Sequence, residues 1–167
     1  MSDFFRVLRT EPASGAECFV EVDDYVPLRF RTSERPLGSS YLRLGDQVSS
    51  LAEILVDPNI GLVRGITITS FAGLAKWPRF EVETIEQGVP ILNVSQGNRN
   101  RVDTGVQFSV SVQGSDVLMY WAPMQHCKAS VLLDRVRFLT VGDQLAGVVF
   151  RGLSDEQSKR FMTHARL

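Results

Sequence analysis

Apolar and polar side chains alternate along most of this chain. From residue 106 to residue 112, valine and phenylalanine alternate with glutamine and serine, which is typical of a β-strand with one apolar and one polar face. The dipeptide Gly114-Ser115 then has the form of a two-residue hairpin turn, with glycine at the position that needs a positive φ. The pattern therefore predicts a hairpin in which Val110 lies opposite Met119.

A second hairpin is predicted between residues 51 and 70. The strand Leu51–Val56 is followed by the sequence Asp-Pro-Asn-Ile-Gly, in which proline fits the turn and glycine can close it with a positive φ. The same pattern returns in residues 133–150 at an offset of 82 positions, so that Gly65 matches Gly147. Two accounts explain this echo: duplication of a sheet-forming unit, or convergence on the pattern that any amphipathic hairpin needs.

The remaining segments complete a mostly β pattern. Further strands are predicted at residues 4–9, 18–22, 26–31, 80–84 and 90–94, and polar loops at residues 32–40 and 95–105. A short helical turn is an alternative at residues 45–52. The C-terminal segment predicts a surface helix, because Ser154 and Gln157 form a capping box and acidic residues follow Ser154 directly.

These elements define the expected fold class as α+β and predominantly β, in a single domain over residues 1–167. We expect an antiparallel curved sheet or half-barrel built of hairpins, with the C-terminal helix against one side. A chain of 167 residues with 44% hydrophobic content is long enough to close one sizeable core.

Composition and charge narrow the range of functions. The 18 basic and 19 acidic residues give a net charge of -1, which provides no general field for binding nucleic acid directly. No stretch approaches the roughly 20 apolar residues that span a bilayer, and Asp3 stands where a signal peptide would carry basic residues. We therefore expect a cytoplasmic protein that binds neither nucleic acid nor membranes, with Cys18 and Cys127 as free thiols.

The sequence contains no signature of catalysis or cofactor binding. His126 and Cys127 are neighbours, and adjacent side chains of an extended chain point to opposite faces, so a partner for Cys127 would have to be His164 on the terminal helix. No spacing of histidine, cysteine or acidic residues matches a known metal site, and no glycine-rich nucleotide-binding loop is present. We expect no enzyme activity, no metal and no cofactor.

Two groups of residues are candidates for binding a partner. The first group is Glu21, Asp23, Asp24 and Tyr25, an acidic cluster beside an aromatic residue between two predicted strands. This cluster is either a solvated turn or a negative patch for a basic partner, with Tyr25 as an aromatic anchor. We predict that the cluster is a negative patch that binds a partner.

The second group is Trp77, Arg79 and Glu83, in a segment without clear periodicity. A tryptophan in such a segment either caps the core or, if it is exposed beside Arg79, is the strongest candidate for a binding hot spot in the chain. Two further acidic residues, Glu81 and Glu86, would add to the negative charge around Glu83.

Two hairpins of the sequence resemble those of a known family. The stretches EILVDPNIGLVRGITITSF and RVRFLTVGDQLAGVVFRGLSDEQ are similar to hairpins of immunity proteins from bacterial polymorphic toxin systems, including those of contact-dependent growth inhibition. The resemblance covers residues 51–70 and 131–161. It implies a stoichiometric inhibitor that binds one toxin domain, usually a nuclease, and blocks its active site or an essential surface. No functional residue can be carried over from it.

These observations lead to one functional hypothesis and one alternative. The hypothesis is a non-catalytic immunity protein that binds and neutralises a cognate bacterial toxin domain, with a nuclease as the expected class. The alternative is a β-barrel module that binds an apolar small molecule in a cavity lined by Phe108, Val110, Met119 and Trp121. A homodimer is also compatible with the sequence, since exposed edges of an antiparallel sheet can add a strand from a second copy.

Overall fold

Strands make up most of the described chain. The computed structural model describes residues 3–13, 18–32, 38–94 and 101–165. These residues form fourteen β-strands and one α-helix: β1 (Val7–Glu11), β2 (Cys18–Glu21), β3 (Leu28–Thr32), β4 (Ser40–Leu44), β5 (Leu51–Val56), β6 (Val63–Ser70), β7 (Thr84–Gln87), β8 (Val89–Leu92), β9 (Arg101–Asp103), β10 (Ser109–Gln113), β11 (Asp116–Tyr120), β12 (Ala129–Leu133), β13 (Val136–Val141), β14 (Gln144–Phe150) and α1 (Asp155–His164). The expected fold class, α+β and predominantly β, is confirmed.

Twelve of these strands form two sheets that share one plan. Sheet 1 has the order β2-β3-β6-β5-β4-β9, and sheet 2 has the order β10-β11-β14-β13-β12-β7. In each sheet the first five strands pair antiparallel, and the last strand pairs parallel to its neighbour. The last strand of each sheet comes from the part of the chain that borders the strands of the other sheet. β7 follows the strands of sheet 1 but joins sheet 2, and β9 precedes the strands of sheet 2 but joins sheet 1.

The two sheets pack face to face around one hydrophobic core. Phe30 of sheet 1 contacts Phe138 and Phe150 of sheet 2 at ring-centroid distances of 6.1 and 6.5 Å. The remaining two strands, β1 and β8, form a small antiparallel pair, and isolated bridges connect this pair to both sheets. The layers are therefore curved sheets and not a closed barrel.

Both hairpins predicted from the alternation are present. β10 and β11 pair with Val110 opposite Met119, as predicted, and Gly114 at their turn has a φ of +59°. β5 and β6 are joined by the turn at residues 57–62, in which Gly61 has a φ of +80°. In both turns glycine takes the left-handed conformation that other residues adopt only with strain.

The two sheets share a local irregularity as well as a strand order. Gly65 in β6 lies opposite Leu55, and Gly147 in β14 lies opposite Leu139, and directly after each pair the ladder shifts by one residue through a bulge. The match of Gly65 with Gly147 agrees with the sequence pattern. The offset of 82 positions holds for the second strands of the two hairpins, β6 and β14, but is wrong for their first strands, β5 and β13. In these first strands Leu55 corresponds to Leu139, which is 84 positions away (139 − 55). The reason is a turn in sheet 1 that is longer by two residues.

Several predicted boundaries are also wrong. The strand expected at residues 80–84 begins only at Thr84, because the residues before it cross the outer face of sheet 2 as an extended segment. Residues 101–103, expected in a loop, form β9 because their backbone pairs with β4. Residues 45–50 bend without a helical turn, and β5 begins at Leu51. Most of the two predicted loops, residues 33–37 and 95–100, lies outside the described residues.

The C-terminal helix packs along the edge of sheet 1. Its predicted capping box is present: Ser154 Oγ accepts the N–H of Gln157 at 3.1 Å, and Gln157 Oε1 accepts the N–H of Ser154 at 3.0 Å. Gln157 Nε2 also donates to the carbonyl oxygen of Val20 in β2 at 3.0 Å. Phe161 is only 1% exposed and stacks on Phe71 at 5.3 Å, so this surface helix is anchored in the core.

The outer faces of the two sheets differ. On sheet 2 a second hydrophobic cluster, which includes Leu118 and Val149, is covered by residues 77–82. On sheet 1 one outward row of residues crosses all six strands and carries charges of alternating sign: Asp103, Arg43, Glu53, Thr67, Arg29 and Glu21. Arg43 pairs with Glu53 at 3.6 Å and with Asp103 at 3.3 Å. The charges of this row therefore neutralise one another to a large extent.

Candidate protein-binding surface

The turn between β2 and β3, residues 22–27, carries most of the first group of candidate residues, and we call it the Tyr25 turn. Oδ1 of Asp23 accepts the backbone N–H groups of Tyr25 at 2.8 Å and of Val26 at 2.6 Å. The N–H of Asp23 donates to the carbonyl oxygen of Val26 at 3.2 Å. The aspartate side chain thus holds the backbone of its own turn, which is the usual role of this residue type in turns.

The same contacts determine the charge of the turn. Hydrogen bonds from the N–H groups of Val26 and Tyr25 stabilise the ionised carboxylate and lower the pKa of Asp23 below its ordinary value of 3.8. Asp24, the next residue, is exposed to solvent. Tyr25 is 90% exposed. The turn therefore presents an aromatic ring directly beside acidic side chains.

Helix α1 supports the Tyr25 turn from behind. Nε2 of His164, in the last turn of the helix, lies 2.8 Å from the carbonyl oxygen of Asp23. At the other end of the helix Gln157 bonds to Val20 in β2. The turn is thus fixed by its own aspartate and by a helix that is anchored in the core. An aromatic side chain on such a backbone loses little conformational freedom when a partner buries it.

Glu21, the remaining member of the first group, belongs to the outer face of sheet 1. Its Oε1 lies 3.0 Å from Nη2 of Arg31, and the guanidinium group of Arg31 lies 5.6 Å from the ring centroid of Phe19. The charge of Glu21 is therefore already paired within the chain, whereas Asp24 has no ion pair with any of the described residues.

The second group of candidate residues lies elsewhere, on the outer face of sheet 2. Trp77 is half-buried, stacks on Phe80 at a ring-centroid distance of 6.4 Å and packs against the second hydrophobic cluster. Arg79 is exposed, and Glu83 pairs with Lys128 at 3.6 Å. Within the described residues no hydrogen bond, ion pair or ring contact joins this group to the Tyr25 turn. The structure thus separates the two groups, and Trp77 packs as a cap over apolar side chains.

The thiols and histidines considered for catalysis are dispersed. Cys127 is buried, its thiol donates to the carbonyl oxygen of Ala129 at 3.6 Å, and burial raises its pKa. Burial likewise raises the pKa of the Cys18 thiol to about 12. Both cysteines are free, and a protonated thiol is a weak nucleophile. His126 is exposed beside Cys127, whereas His164 is engaged at the Tyr25 turn.

Within the described ranges, no group of three or more histidine, cysteine, aspartate or glutamate side chains could hold a metal ion. No helix in those ranges is both long enough and apolar enough to cross a membrane.

The residues predicted to line a ligand cavity are divided between the core and the surface. Val110 and Met119 are fully buried in the core between the two sheets. Phe108 and Trp121 line a shallow surface depression, and the indole N–H of Trp121 donates to the carbonyl oxygen of Leu145 at 2.9 Å. Two of the four side chains therefore serve the packing of the sheets.

A second ordered turn was not among the predicted candidates. It joins β4 to β5 at residues 45–50, and we call it the Val48 turn. Oδ1 of Asp46 accepts the backbone N–H groups of Val48 at 2.9 Å, Ser49 at 2.8 Å and Ser50 at 2.9 Å, and Oδ2 accepts the hydroxyl of Ser49 at 2.6 Å. Val48 is 92% exposed. The signal in the sequence is an aspartate two positions before an apolar residue, which both turns share.

No family model matches the chain, and no curated protein is significantly similar to it in sequence. The resemblance to immunity proteins therefore stays a prediction carried by two hairpins. Function has to be inferred from the surface of the molecule.

Proposed function

We propose that this protein is a non-catalytic immunity protein that acts in the cytoplasm, where it binds and neutralises a cognate bacterial toxin domain of the nuclease class. The observation that supports this most is the Tyr25 turn. Its aromatic side chain is 90% exposed, while its backbone is held by Asp23 and His164. Large aromatic residues of this kind are enriched among the residues that carry binding energy at protein interfaces.

The charge beside Tyr25 supports a basic partner. Asp23 and the exposed Asp24 lie within two positions of the ring. A surface that binds the phosphates of nucleic acid carries arginine and lysine, and carboxylates are complementary to it. The net charge of the whole chain is only -1, so this complementarity is local to the turn and does not come from the protein as a whole.

In this function the protein acts by covering a surface of the toxin domain. Tyr25 would enter an apolar depression of the toxin domain, and Asp24 would pair with basic side chains at its rim. The two packed sheets provide a rigid support for the turn, and no bond is made or broken. Inhibition is then stoichiometric, with one immunity protein for each toxin domain.

Growth rescue and copurification test this function directly. Immunity genes lie directly downstream of their toxin genes, so the domain encoded at that upstream position is the one to express in bacteria with and without this protein. The two chains are then purified together through a tag on one of them. We expect the wild-type protein to restore growth and to copurify in equal molar amount. If growth still stops when this protein is present, and the two folded chains form no complex, the proposal is wrong.

Two matched charge reversals identify which candidate group the partner contacts. Asp24→Lys and Glu83→Lys change the charge equally, one at the Tyr25 turn and one on the outer face of sheet 2. We expect Asp24→Lys to slow association with the toxin domain, because complementary charge raises association rates, and Glu83→Lys to leave the rate unchanged. Tyr25→Ala should weaken the complex by about tenfold or more, as substitution of an anchoring aromatic residue does. The opposite pattern would assign binding to the second group.

A further inference from the structure

Two apolar side chains stand out by their exposure. Among the large hydrophobic residues of the described chain, Val48 at 92% and Tyr25 at 90% are more exposed than any other, and Leu8 follows at 51%. A single exposed apolar residue is normal on a protein surface. These two differ because each is held out on an ordered turn, where its burial by a partner would remove apolar surface from water.

The two turns lie at the same end of sheet 1. β3 begins at Leu28, which pairs with Ile68 near the end of β6, and β5 begins at Leu51, which pairs with Ser70 at the end of β6. The Tyr25 turn and the Val48 turn therefore flank the end of β6 on either side. Their midpoints are three strand spacings apart, which corresponds to roughly 14 Å.

Both turns are ordered before any partner arrives, and by the same device. In each, an aspartate accepts backbone N–H groups of the following residues through one carboxylate oxygen, Oδ1 of Asp23 in one turn and Oδ1 of Asp46 in the other. Two ordered anchors at a fixed separation can dock on one surface without the cost of ordering a loop. They cannot adapt to a partner of different spacing, which favours a single partner.

The surroundings of the turns indicate the chemistry of that partner. Carboxylates stand beside both apolar tips, since Asp24 is adjacent to Tyr25 and Asp46 lies two positions before Val48. Beside the Val48 turn a groove of about 450 Å³ is lined by polar and apolar residues together, among them Asp46 and Leu74, which is 39% exposed. A complementary surface therefore has apolar contact points with basic groups around them.

We infer that Tyr25 and Val48 form a two-point anchor for one basic protein domain, the toxin domain of the proposed function, on which this inference rests. The two side chains fill separate apolar depressions of that domain, and a further side chain of the domain enters the groove beside Val48. The end of sheet 1 that carries both turns is the interface, and the outer faces of both sheets remain outside it.

A matched pair of substitutions tests the second anchor point. Val48→Asp places a charge on the Val48 turn, and Ile60→Asp does the same on the turn between β5 and β6, at the opposite end of sheet 1. Ile60 is the appropriate control because it is also exposed, at 46%, and because Asp57 Oδ1 accepts the N–H groups of Asn59 and Ile60 in the same manner. Circular dichroism and thermal unfolding of both variants should match the wild type, since neither side chain belongs to the core.

Affinity for the purified toxin domain is measured by titration calorimetry, first for the wild type. We expect Val48→Asp to raise the Kd by about tenfold or more and Ile60→Asp to leave it within about twofold. If the wild type binds and Val48→Asp binds equally well, or if Ile60→Asp weakens the complex to the same degree, the two-point anchor is wrong while the proposed function stands. If the folded wild type does not bind the toxin domain, the proposed function and this inference are both wrong.

Discussion

Replacing Gly147 by alanine tests the closest approach between two strands of sheet 2. A Cβ atom at this position would lie 2.8 Å from the carbonyl oxygen of Met119 and 2.9 Å from the Cβ atom of Tyr120, both in the neighbouring strand β11. Carbon atoms without a bond between them settle at about 3.5–4.0 Å, so β11 and β14 would have to separate. Overpacking of this kind costs about 1–3 kcal/mol. In a chain of this size each kcal/mol lowers the unfolding midpoint by about 2–4 °C, which gives a decrease of roughly 2–12 °C.

Urea unfolding followed by tryptophan fluorescence measures this loss. Trp121 is a suitable reporter because its indole N–H bonds to Leu145, two positions from Gly147. Gly65→Ala should cost a similar amount, because its Cβ atom would lie 2.8 Å from the carbonyl oxygen of Phe30 in sheet 1. Gly114→Asn is the control, since nothing lies within 4 Å of that position and asparagine tolerates a positive φ. A Gly147→Ala protein within about 0.5 kcal/mol of the control would refute the steric argument. A loss at one glycine only would refute the equivalence of the two sheets.

Three further predictions concern Gln157 in the helix, Asp46 in the Val48 turn and the thiol of Cys18 in β2. Gln157→Glu keeps the acceptor for the N–H of Ser154 but places a carboxylate against the carbonyl oxygen of Val20. Urea unfolding should therefore show that the free energy of unfolding falls by about 1–3 kcal/mol. Unchanged stability would mean that the hydrogen bond to Val20 is not formed. The pKa of Asp46 lies below its ordinary value of 3.8, mainly because the hydroxyl of Ser49 and, to a smaller extent, backbone N–H groups donate to its carboxylate. The ionised carboxylate therefore stabilises the fold at neutral pH, and this stabilisation is lost as the pH falls below 3.8. Asp46→Asn should therefore lower the unfolding midpoint more at neutral pH than near pH 2, and an equal decrease at both would contradict the assignment. Because burial raises the pKa of Cys18 to about 12, a thiol reagent should label it slowly in the native protein and rapidly in urea, and fast native labelling would show that the thiol is accessible.

The local parts of the fold follow from the sequence because their causes are local. Alternation with a period of two defines which face of β10 and β11 is apolar, and Gly114 supplies the positive φ of their turn, so the register of that hairpin is predictable. The capping box of α1 is predictable for the same reason, since Ser154 and Gln157 are only three positions apart.

The division into two sheets depends on contacts between distant parts of the chain. Nothing in the three residues of β9 indicates a parallel pairing with β4, which lies about 60 positions earlier, and the segment reads as polar loop. The echo of the hairpins does predict that two similar units exist. Their shared bulge and their matching glycines, Gly65 and Gly147, are not required by amphipathic hairpins in general, and therefore favour duplication over convergence.

Of the two turns that form the candidate surface, the Tyr25 turn can be predicted from the sequence and the Val48 turn cannot. An acidic turn with an aromatic residue can be recognised from the sequence alone, and Tyr25 is predictable in this way. Whether such a residue is exposed depends on packing, and packing distinguishes Tyr25 at 90% exposure from the half-buried Trp77. For the Val48 turn, an aspartate two positions before an apolar residue is too weak a signal for prediction, because the order of the turn comes from hydrogen bonds between Asp46 and backbone N–H groups.

The exchange of edge strands explains why the two outer faces differ and why Trp77 lies where it does. After β6 ends in sheet 1, the chain has to reach β7 on the far side of sheet 2, and it crosses the outer face of that sheet on the way. A hydrogen bond of 2.8 Å fixes each end of the crossing segment. At one end the N–H of Ala75 donates to the carbonyl oxygen of Val110 in β10, and at the other the N–H of Glu83 donates to the carbonyl oxygen of Lys128, which precedes β12. An extended segment without strand partners over most of its length needs apolar side chains to hold it against the sheet, and Trp77 provides this. The same crossing removes the outer face of sheet 2 from the surface, and the outer face of sheet 1 neutralises its own charges. The turns at the end of sheet 1 carry the two most exposed large apolar side chains of the described surface, Tyr25 and Val48, each close to an aspartate.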